Sequence, residues 1–392
     1  MTDTTASGTP TTAVLPGFAP AKKLGFGCMR LPLLDAADPT KVDVAQFERM
    51  IDAFLADGFT YFDTAWMYHQ HTSETFVRGA LVRRHDRAAF TLATKMPCMA
   101  LKEAADMPRI FDEQLEKCGV DRFDFYLLHN LNSKDWPIVQ QIDTFGFCCK
   151  LRDEGKIGHL GFSFHDSPEL LEEILNAHPE VEFVQLQINY LDWDDPGIAS
   201  GRCYEVARAH GLPVIVMEPV KGGALANVPA EAAALFEQAR PGSTPASWAL
   251  RFAASLPGVM CVLSGMSDEA QLADNVATFG TFEPLGEQEQ AVVRQAAEII
   301  KRSSTVPCTA CRYCEEGCPE GVPIPDIFAL YNASLAEADR AHAPERAAYR
   351  ELAASKAPAS TCVKCGACED ECPQHLPIRE LLGKVTRTLE NH

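Results

Sequence analysis

The sequence predicts an α/β chain: a closed (β/α)8 barrel followed by a small, mostly helical, cysteine-rich module. Three observations carry this. From Lys23 to about Thr278, short apolar runs alternate with amphipathic segments of helical length, the pattern of parallel strands joined by crossover helices. Eight such pairs fit into residues 21–300, which suits a closed barrel, typically of about 250 residues, better than an open doubly wound sheet. Eight of the fifteen cysteines crowd between Cys308 and Cys372. The expected division is a disordered Thr/Pro/Ala-rich tail over residues 1–20, the barrel over 21–300 and the cysteine module over 301–392.

The strand candidates, in order, are Leu24 to Met29, Thr60 to Asp63, Phe90 to Lys95, Phe123 to His129, His159 to Phe164, Phe183 to Asn189, Val214 to Met217 and Cys261 to Ser264. Each is short, as strands buried on both faces should be. In the first helix Phe47, Met50, Ile51, Phe54 and Leu55 fall at i, i+3, i+4 spacing, with Gly58 as a C-terminal stop. Gly25-Phe-Gly27-Cys-Met-Arg30 begins like a dinucleotide-binding turn, but Arg30 stands where a third glycine is needed, so it reads as the first barrel strand. After the barrel, Glu287 to Arg302 reads as one helix leading into the cysteine module.

Composition bounds the function. At 46% hydrophobic and 23% charged residues the chain is ordinary and globular. Its formal net charge of −19, from 35 basic and 54 acidic residues, repels phosphate backbones and anionic lipid alike, so neither nucleic acid nor membrane is an expected partner. No stretch approaches the roughly 18 apolar residues of a membrane helix, and the first twenty residues lack the basic start and apolar run of an export signal. A cytoplasmic location is therefore expected. An odd number of cysteines without an export signal points to metal ligands and buried thiols rather than a disulfide framework. The adjacent Cys148 and Cys149 read as helix residues whose side chains point apart, not as a redox pair.

Residues 308–319 read CTACRYCEEGCP and residues 362–373 read CVKCGACEDECP. The repeat extends past the cysteines: Val322-Pro323-Ile324 and Ile327 have counterparts in Leu376-Pro377-Ile378 and Leu381, at a constant offset of 54 residues. Each run follows C-x2-C-x2-C-x3-C-P and resembles the bacterial two-cluster ferredoxins, in which the fourth cysteine of each run ligates the other cluster. That resemblance implies two 4Fe-4S clusters, one held by Cys308, Cys311, Cys314 and Cys372, the other by Cys362, Cys365, Cys368 and Cys318. The alternative is a pair of zinc sites, which commonly use separated C-x2-C pairs. The step of 44 positions from Cys318 to Cys362, with helical-looking segments in 325–355, implies a helical ferredoxin-like variant.

Polar residues stand where barrel active sites stand, at the carboxyl ends of strands. The second strand ends in Asp63 with Tyr68 five residues on, the third in Lys95, and the fourth in His129. Reducing a carbonyl by hydride transfer needs a proton for the nascent alkoxide, and a phenol of pKa about 10 is a poor acid at neutral pH. A neighbouring Lys95 cation is expected to lower the Tyr68 pKa, Asp63 to keep Lys95 charged and oriented, and His129 to orient and polarise the carbonyl. Singly each has a plain structural reading: helix cap, rim aromatic, surface charge, satisfied core imidazole. Together, in order and approximate spacing, they resemble the catalytic tetrad of the aldo-keto reductase family, a likeness covering about residues 23–278.

That resemblance also implies cofactor positions. Ser163 and Gln185 match the family's carboxamide-binding residues, although Phe164 replaces the usual Asn. Met217 stands where an aromatic commonly stacks on the nicotinamide. Ser264, Gly265 and Asn275 fall in the region that holds the cofactor phosphates. Gly265 and Gln271 replace the Lys and Arg that many members direct at the 2′-phosphate, so NAD is expected to be accepted as readily as NADP. The whole chain resembles an iron-sulfur branch of the aldo-keto reductases. An oxidoreductase interconverting a small carbonyl and its alcohol is implied, with the clusters structural or linking to a ferredoxin or flavoprotein partner. A nicotinamide delivers two electrons whereas a cluster carries one, and no flavin signature is present to convert between them. The alternative is an electron-transfer or partner-docking protein whose barrel does not use NAD(P).

Overall fold

The computed structural model describes residues 18–36, 38–302, 306–336 and 343–390. Most of the expected N-terminal tail, residues 1–17, lies outside them. The chain divides into two compact units. The first holds the chain up to Ile188 together with Gly201–Pro219 and Ala253–Pro284, and the second holds Asn189–Ser200, Val220–Phe252 and the chain from Leu285 onward.

The first unit contains a closed barrel of eight parallel strands in sequence order. They are β1 Leu24–Gly27, β2 Tyr61–Asp63, β3 Thr91–Pro97, β4 Phe123–Leu131, β5 Ile157–Phe164, β6 Phe183–Gln187, β7 Val214–Met217 and β8 Val259–Ser264. Barrel closure follows from β1 pairing with both neighbours, Gly25 opposite Tyr61 on β2 and opposite Leu263 on β8. The interior is packed by Tyr61, Ala93, Phe125, Leu127, Phe183, Ile215, Cys261 and Leu263, with Phe18 joining them. Phe18 meets Phe125 edge-on, ring centres 5.5 Å apart.

Because side chains alternate along a strand, residues two positions beyond these interior ones share their face. Tyr61 leads to Asp63, Ala93 to Lys95, Leu127 to His129, Phe183 to Gln185 and Ile215 to Met217. Apolar packing of the interior thus aims a ring of polar groups at the carboxyl-terminal mouth. The register steps along the ring: Asp63 is opposite Ala93, two residues before Lys95, and Lys95 is opposite Leu127, two residues before His129.

The outward strand faces pack on helices. Phe47, Met50, Ile51 and Phe54 of the helix Val44–Ala56 are buried, and Phe26 lies 5.8 Å from Phe47, 5.5 Å from Phe54 and 5.7 Å from Phe62 between ring centres. Burying each such ring stabilises by about 1.5–3 kcal/mol. The helix begins where Asp43 accepts the Gln46 N–H at 3.0 Å and ends at Gly58, whose φ of 78° suits glycine.

In the second unit the helices Ala230–Ala239 and Glu287–Arg302 share a core of Tyr190, Leu225, Phe236, Trp248 and Val293. The cysteine runs lead into the helices Ile324–Ala336 and Ile378–Val385, with Ala343–Ser355 between the two copies. The repeated apolar residues are the core here: Val322, Ile324 and Ile327 pack with Leu376 and Ile378. The duplication is also written in the backbone. Left-handed φ values recur at the same offset of 54 in Ala310 and Lys364 (54° and 60°), Arg312 and Gly366 (67° and 92°), and Gly321 and His375 (62° and 49°). No two cysteines are joined by a disulfide among the described residues, and of the seven outside the repeats all but Cys149 are buried.

Candidate functional site

At the barrel mouth the four tetrad candidates converge. Lys95 Nζ lies 2.5 Å from Asp63 Oδ1, donates to the Thr64 carbonyl at 2.9 Å, and approaches Tyr68 Oη at 3.3 Å. The His129 ring stands edge-on to Tyr68, 5.7 Å between centres and 82° between planes. All four are buried, and Lys95 is 1% exposed. His129 Nδ1 has no hydrogen-bond partner among the described residues.

Electrostatics assigns protonation. Burial pushes the Asp63 carboxyl up while the Lys95 ammonium draws it down. Burial, and then Lys95 and His165, hold His129 well below the usual imidazole value, so its ring is neutral at pH 7. The Tyr68 phenol is pushed well above its ordinary value by burial, with Asp63 and Glu218 adding to the rise and Arg30 opposing it. This differs from the expectation that Lys95 lowers the phenol's pKa. The physical reason is burial, the largest cause of the rise, which outweighs any help from the Lys95 ammonium at 3.3 Å, itself paired with Asp63. Tyr68 is therefore protonated in the free site, the form that can donate.

The cofactor candidates from β5 and β6 stand on the same ring. Ser163 Oγ accepts the Asn130 N–H at 2.8 Å, and Gln185 Nε2 points to Met217 Sδ at 3.5 Å. Gln185 Oε1 and Asn130 Oδ1 are buried acceptors without partners among the described residues. Two unmet acceptors beside a ring of polar groups fit the N–H donors of a carboxamide, because leaving such atoms buried and unpaired is costly. Beyond β8, Asn275 Nδ2 donates to Ser264 Oγ at 2.8 Å, and Gly265 is exposed. The adjoining start of the helix Glu269–Gly280 is engaged internally. Asp268 accepts the Gln271 N–H, Gln271 Oε1 accepts the Ser267 N–H, and Glu269 pairs with Arg49 at 2.7 Å.

Two residues of this region escaped the sequence reading. Arg30 pairs with Glu218 at 3.6 Å, its carbonyl accepts from Ser267 Oγ at 3.1 Å, and its side chain runs alongside Gly265. It thus reaches from the β8 end toward Tyr68, whose phenol its charge draws down. The signal was present in the Gly25–Arg30 run, where Arg30 registered only as a missing glycine. Buried Glu74 is the other. Its Oε1 accepts from Thr94 Oγ1 at 2.7 Å and from Gln114 Nε2 at 3.0 Å, and the same Gln114 nitrogen donates to the Lys95 carbonyl at 2.9 Å.

The eight repeat cysteines gather in two cavities. Cys308, Cys311, Cys314 and Cys372 line one, and Cys318, Cys362, Cys365 and Cys368 line the other. Each cavity takes three cysteines from one run and the fourth from the other. In the first, burial and then the neighbouring Cys311, Cys308 and Cys372 push the Cys314 thiol up. In the second, burial, Glu369, Cys362 and Cys365 push Cys368 up to about 11. Thiolates set this close together would repel one another, and a bound iron centre would offset that repulsion. Among the described residues no three His, Cys, Asp or Glu converge on a single ion. Four thiols spread around a cavity suit a cube, where each meets a different iron, better than a tetrahedral zinc.

Comparison with known proteins agrees in both parts of the chain. Residues 23–298 match the profile described as "Aldo/keto reductase family", and residues 307–376 match a "4Fe-4S dicluster domain". An "Aldo-keto reductase" of Mycobacterium sp. (strain KMS) is 30% identical over 135 residues, 33% of this chain and 45% of that protein. A "Probable aldo-keto reductase 1" of Glycine max is 28% identical over 179 residues, 44% of this chain and 48% of that protein. The chain thus spans about half the length of the curated relatives it matches. Among solved structures, an aldo-keto reductase from Bacillus halodurans in its holo form superposes with a TM-score of 0.56 at 26% identity, over 70% of this chain and 91% of that one. An aldo-keto reductase from Klebsiella pneumoniae in complex with NADPH gives 0.56 at 23% identity, over 71% and 92%, a likeness of fold.

Proposed function

Because the chain belongs to the aldo/keto reductase family, we propose that it is an oxidoreductase interconverting a small carbonyl compound and its alcohol at the barrel mouth, and that its C-terminal part carries two 4Fe-4S clusters. The observation that supports this most is Lys95 Nζ set between Asp63 Oδ1 at 2.5 Å and Tyr68 Oη at 3.3 Å, with neutral His129 alongside. Ser163, Gln185 and Asn130 would hold a nicotinamide, which would supply a hydride, and the eight repeat cysteines would hold clusters, which would supply single electrons. Tyr68 gives its proton to the oxygen that develops negative charge. Lys95 stabilises the resulting phenolate, and Asp63 fixes Lys95 in place. His129, kept neutral by burial, donates a hydrogen bond to the carbonyl oxygen, and burial of all four groups excludes water that would weaken these interactions.

NAD is proposed to bind at least as readily as NADP. The polar groups after β8 are engaged with one another, and two carboxylates, Asp268 and Glu269, stand at the helix start where a 2′-phosphate would need a cation. The same departures from the family's cofactor contacts favour a second reading, an electron-transfer protein whose barrel does not use a nicotinamide. Titrating NADH and NADPH into the cluster-loaded chain, while following cofactor fluorescence and cluster absorbance with an aldehyde present, separates the two. Saturable binding with aldehyde-dependent NADH oxidation supports the enzyme. No binding of either nucleotide, with ready reduction of the clusters by a reduced ferredoxin, supports the relay.

A further inference from the structure

The duplication makes the two four-cysteine cavities comparable position by position, and their surroundings differ sharply. Around the first, Thr309 is 2% exposed and Gln374 8%. Both are covered by the turn Lys221-Gly222-Gly223. Gly222 has a φ of 63°, and a Cβ there would fall 2.4 Å from the Thr309 carbonyl oxygen, so the turn lies flat against the cysteine run. Lys221 Nζ donates to Gln374 Oε1 at 2.9 Å and pairs with Asp192 at 2.5 Å.

The equivalent positions of the second cavity, 54 residues away in the repeat, are Val363 and Glu320. Val363 is 58% exposed. Glu320 is exposed, as is Pro319, whereas its counterpart Pro373 is buried. Glu320 and the neighbouring Lys364 make no hydrogen bond or ion pair among the described residues. Cys365 is the exposed cysteine of the described residues. Other charge on this rim is already used, Arg379 being bonded to Glu369. Among the described residues, then, nothing does for the second cavity what the Lys221 turn does for the first.

We propose that Val363 and Glu320 form the docking site of a redox protein that presents a basic side chain, seated on the second cavity as the Lys221 turn is seated on the first. The proposal rests on the reading of both cavities as 4Fe-4S sites. The internal turn shows the chemistry that fits: a lysine ammonium on residue 374 and flat backbone on residue 309. At the second cavity the lysine's acceptor is a carboxylate in place of an amide, so the bond to an incoming cation is charge-assisted and stronger. Val363 supplies the apolar contact, and the net charge of −19 steers a basic partner toward the chain. The step is a one-electron transfer without a proton: a cluster reduced by dithionite returns to its oxidised state as the partner's ferric haem becomes ferrous.

Cytochrome c, a basic haem protein, serves as the probe. The full chain is loaded anaerobically, its iron and sulfide are counted, and its affinity for ferricytochrome c is measured by calorimetry at low ionic strength. After dithionite reduction and desalting, haem reduction is followed by stopped flow. Glu320→Lys should weaken binding and slow reduction at least tenfold with iron and sulfide unchanged, and Glu320→Gln should have a severalfold effect. Glu298→Lys, the same change of charge on the helix Glu287–Arg302, should have little effect. Both losses should shrink at high salt. Equal binding and rate in wild type and Glu320→Lys, or equal loss in Glu298→Lys, overturns the docking site while leaving the clusters standing. A wild-type chain that takes up no iron and sulfide overturns the cluster reading itself, and the proposal with it.

Discussion

Glu74→Gln isolates one buried carboxyl and makes the stability of the barrel less dependent on pH. Burial pushes Glu74 up from 4.5 to about 7, while hydrogen bonds from Thr94 and Gln114 draw it down. Its Oε1 takes both bonds, and Oε2 has no partner among the described residues, so a glutamine keeping Oε1 in place preserves the network. The sign follows from linkage. Below pH 4.5 the folded and unfolded chains both hold the proton. Between 4.5 and 7 the unfolded chain loses it first, so the wild type loses stability as pH rises, and above 7 the loss levels off. At about 1.4 kcal/mol per pKa unit the full loss is about 3 kcal/mol, of which about 2.5 kcal/mol falls between pH 5 and pH 8. Urea unfolding of wild type and Glu74→Gln, followed by far-ultraviolet circular dichroism at several pH values, cancels every other titrating group. The variant should gain on the wild type by about 2.5 kcal/mol across that interval. A difference that stays constant with pH would refute the assignment.

Two further outcomes follow from the cavities and the Lys221 turn. Cys372→Ser, although it lies in the second run, should remove the cluster held with Cys308, Cys311 and Cys314, halving iron and sulfide; loss of the cluster shared by Cys362, Cys365 and Cys368 instead would show that each run serves itself. Lys221→Met should cost about 3 kcal/mol, the lower part of the range for breaking a buried pair, because Asn189 still donates to Asp192 at 2.7 Å. Urea-induced loss of cluster absorbance reports this, and an unchanged midpoint would mean that the pair contributes nothing to holding the turn.

How much of this was legible in the sequence depends on whether the signal is local. All eight strand candidates overlap observed strands, because apolar runs bounded by helix-length segments report burial directly. The helix Glu287–Arg302 keeps its expected limits. The crossed grouping of cysteines was implied only by the resemblance to two-cluster ferredoxins, and the lining of the two cavities is grouped in the same way. Long-range facts were not legible. Nothing local says that Asn189–Ser200 and Val220–Phe252 pack with the C-terminal part, nor that Gly222 lies against Thr309. The Tyr68 shift was misjudged because residue types give the charges near a phenol but not how deeply it is buried. Glu74 looked like any helix carboxylate, and only the fold shows that it is enclosed.

Tyr68 is the proposed proton donor for carbonyl reduction. Single-turnover oxidation of bound NADH by a saturating aldehyde, compared between wild type and Tyr68→Phe, tests it directly. Fluorescence titration and iron and sulfide counts accompany the comparison to show that cofactor and clusters are retained. The rate should fall by about 10²–10⁴-fold, the usual worth of a positioned acid, with nucleotide affinity unchanged. An undiminished rate in a variant that still binds NADH would contradict the account.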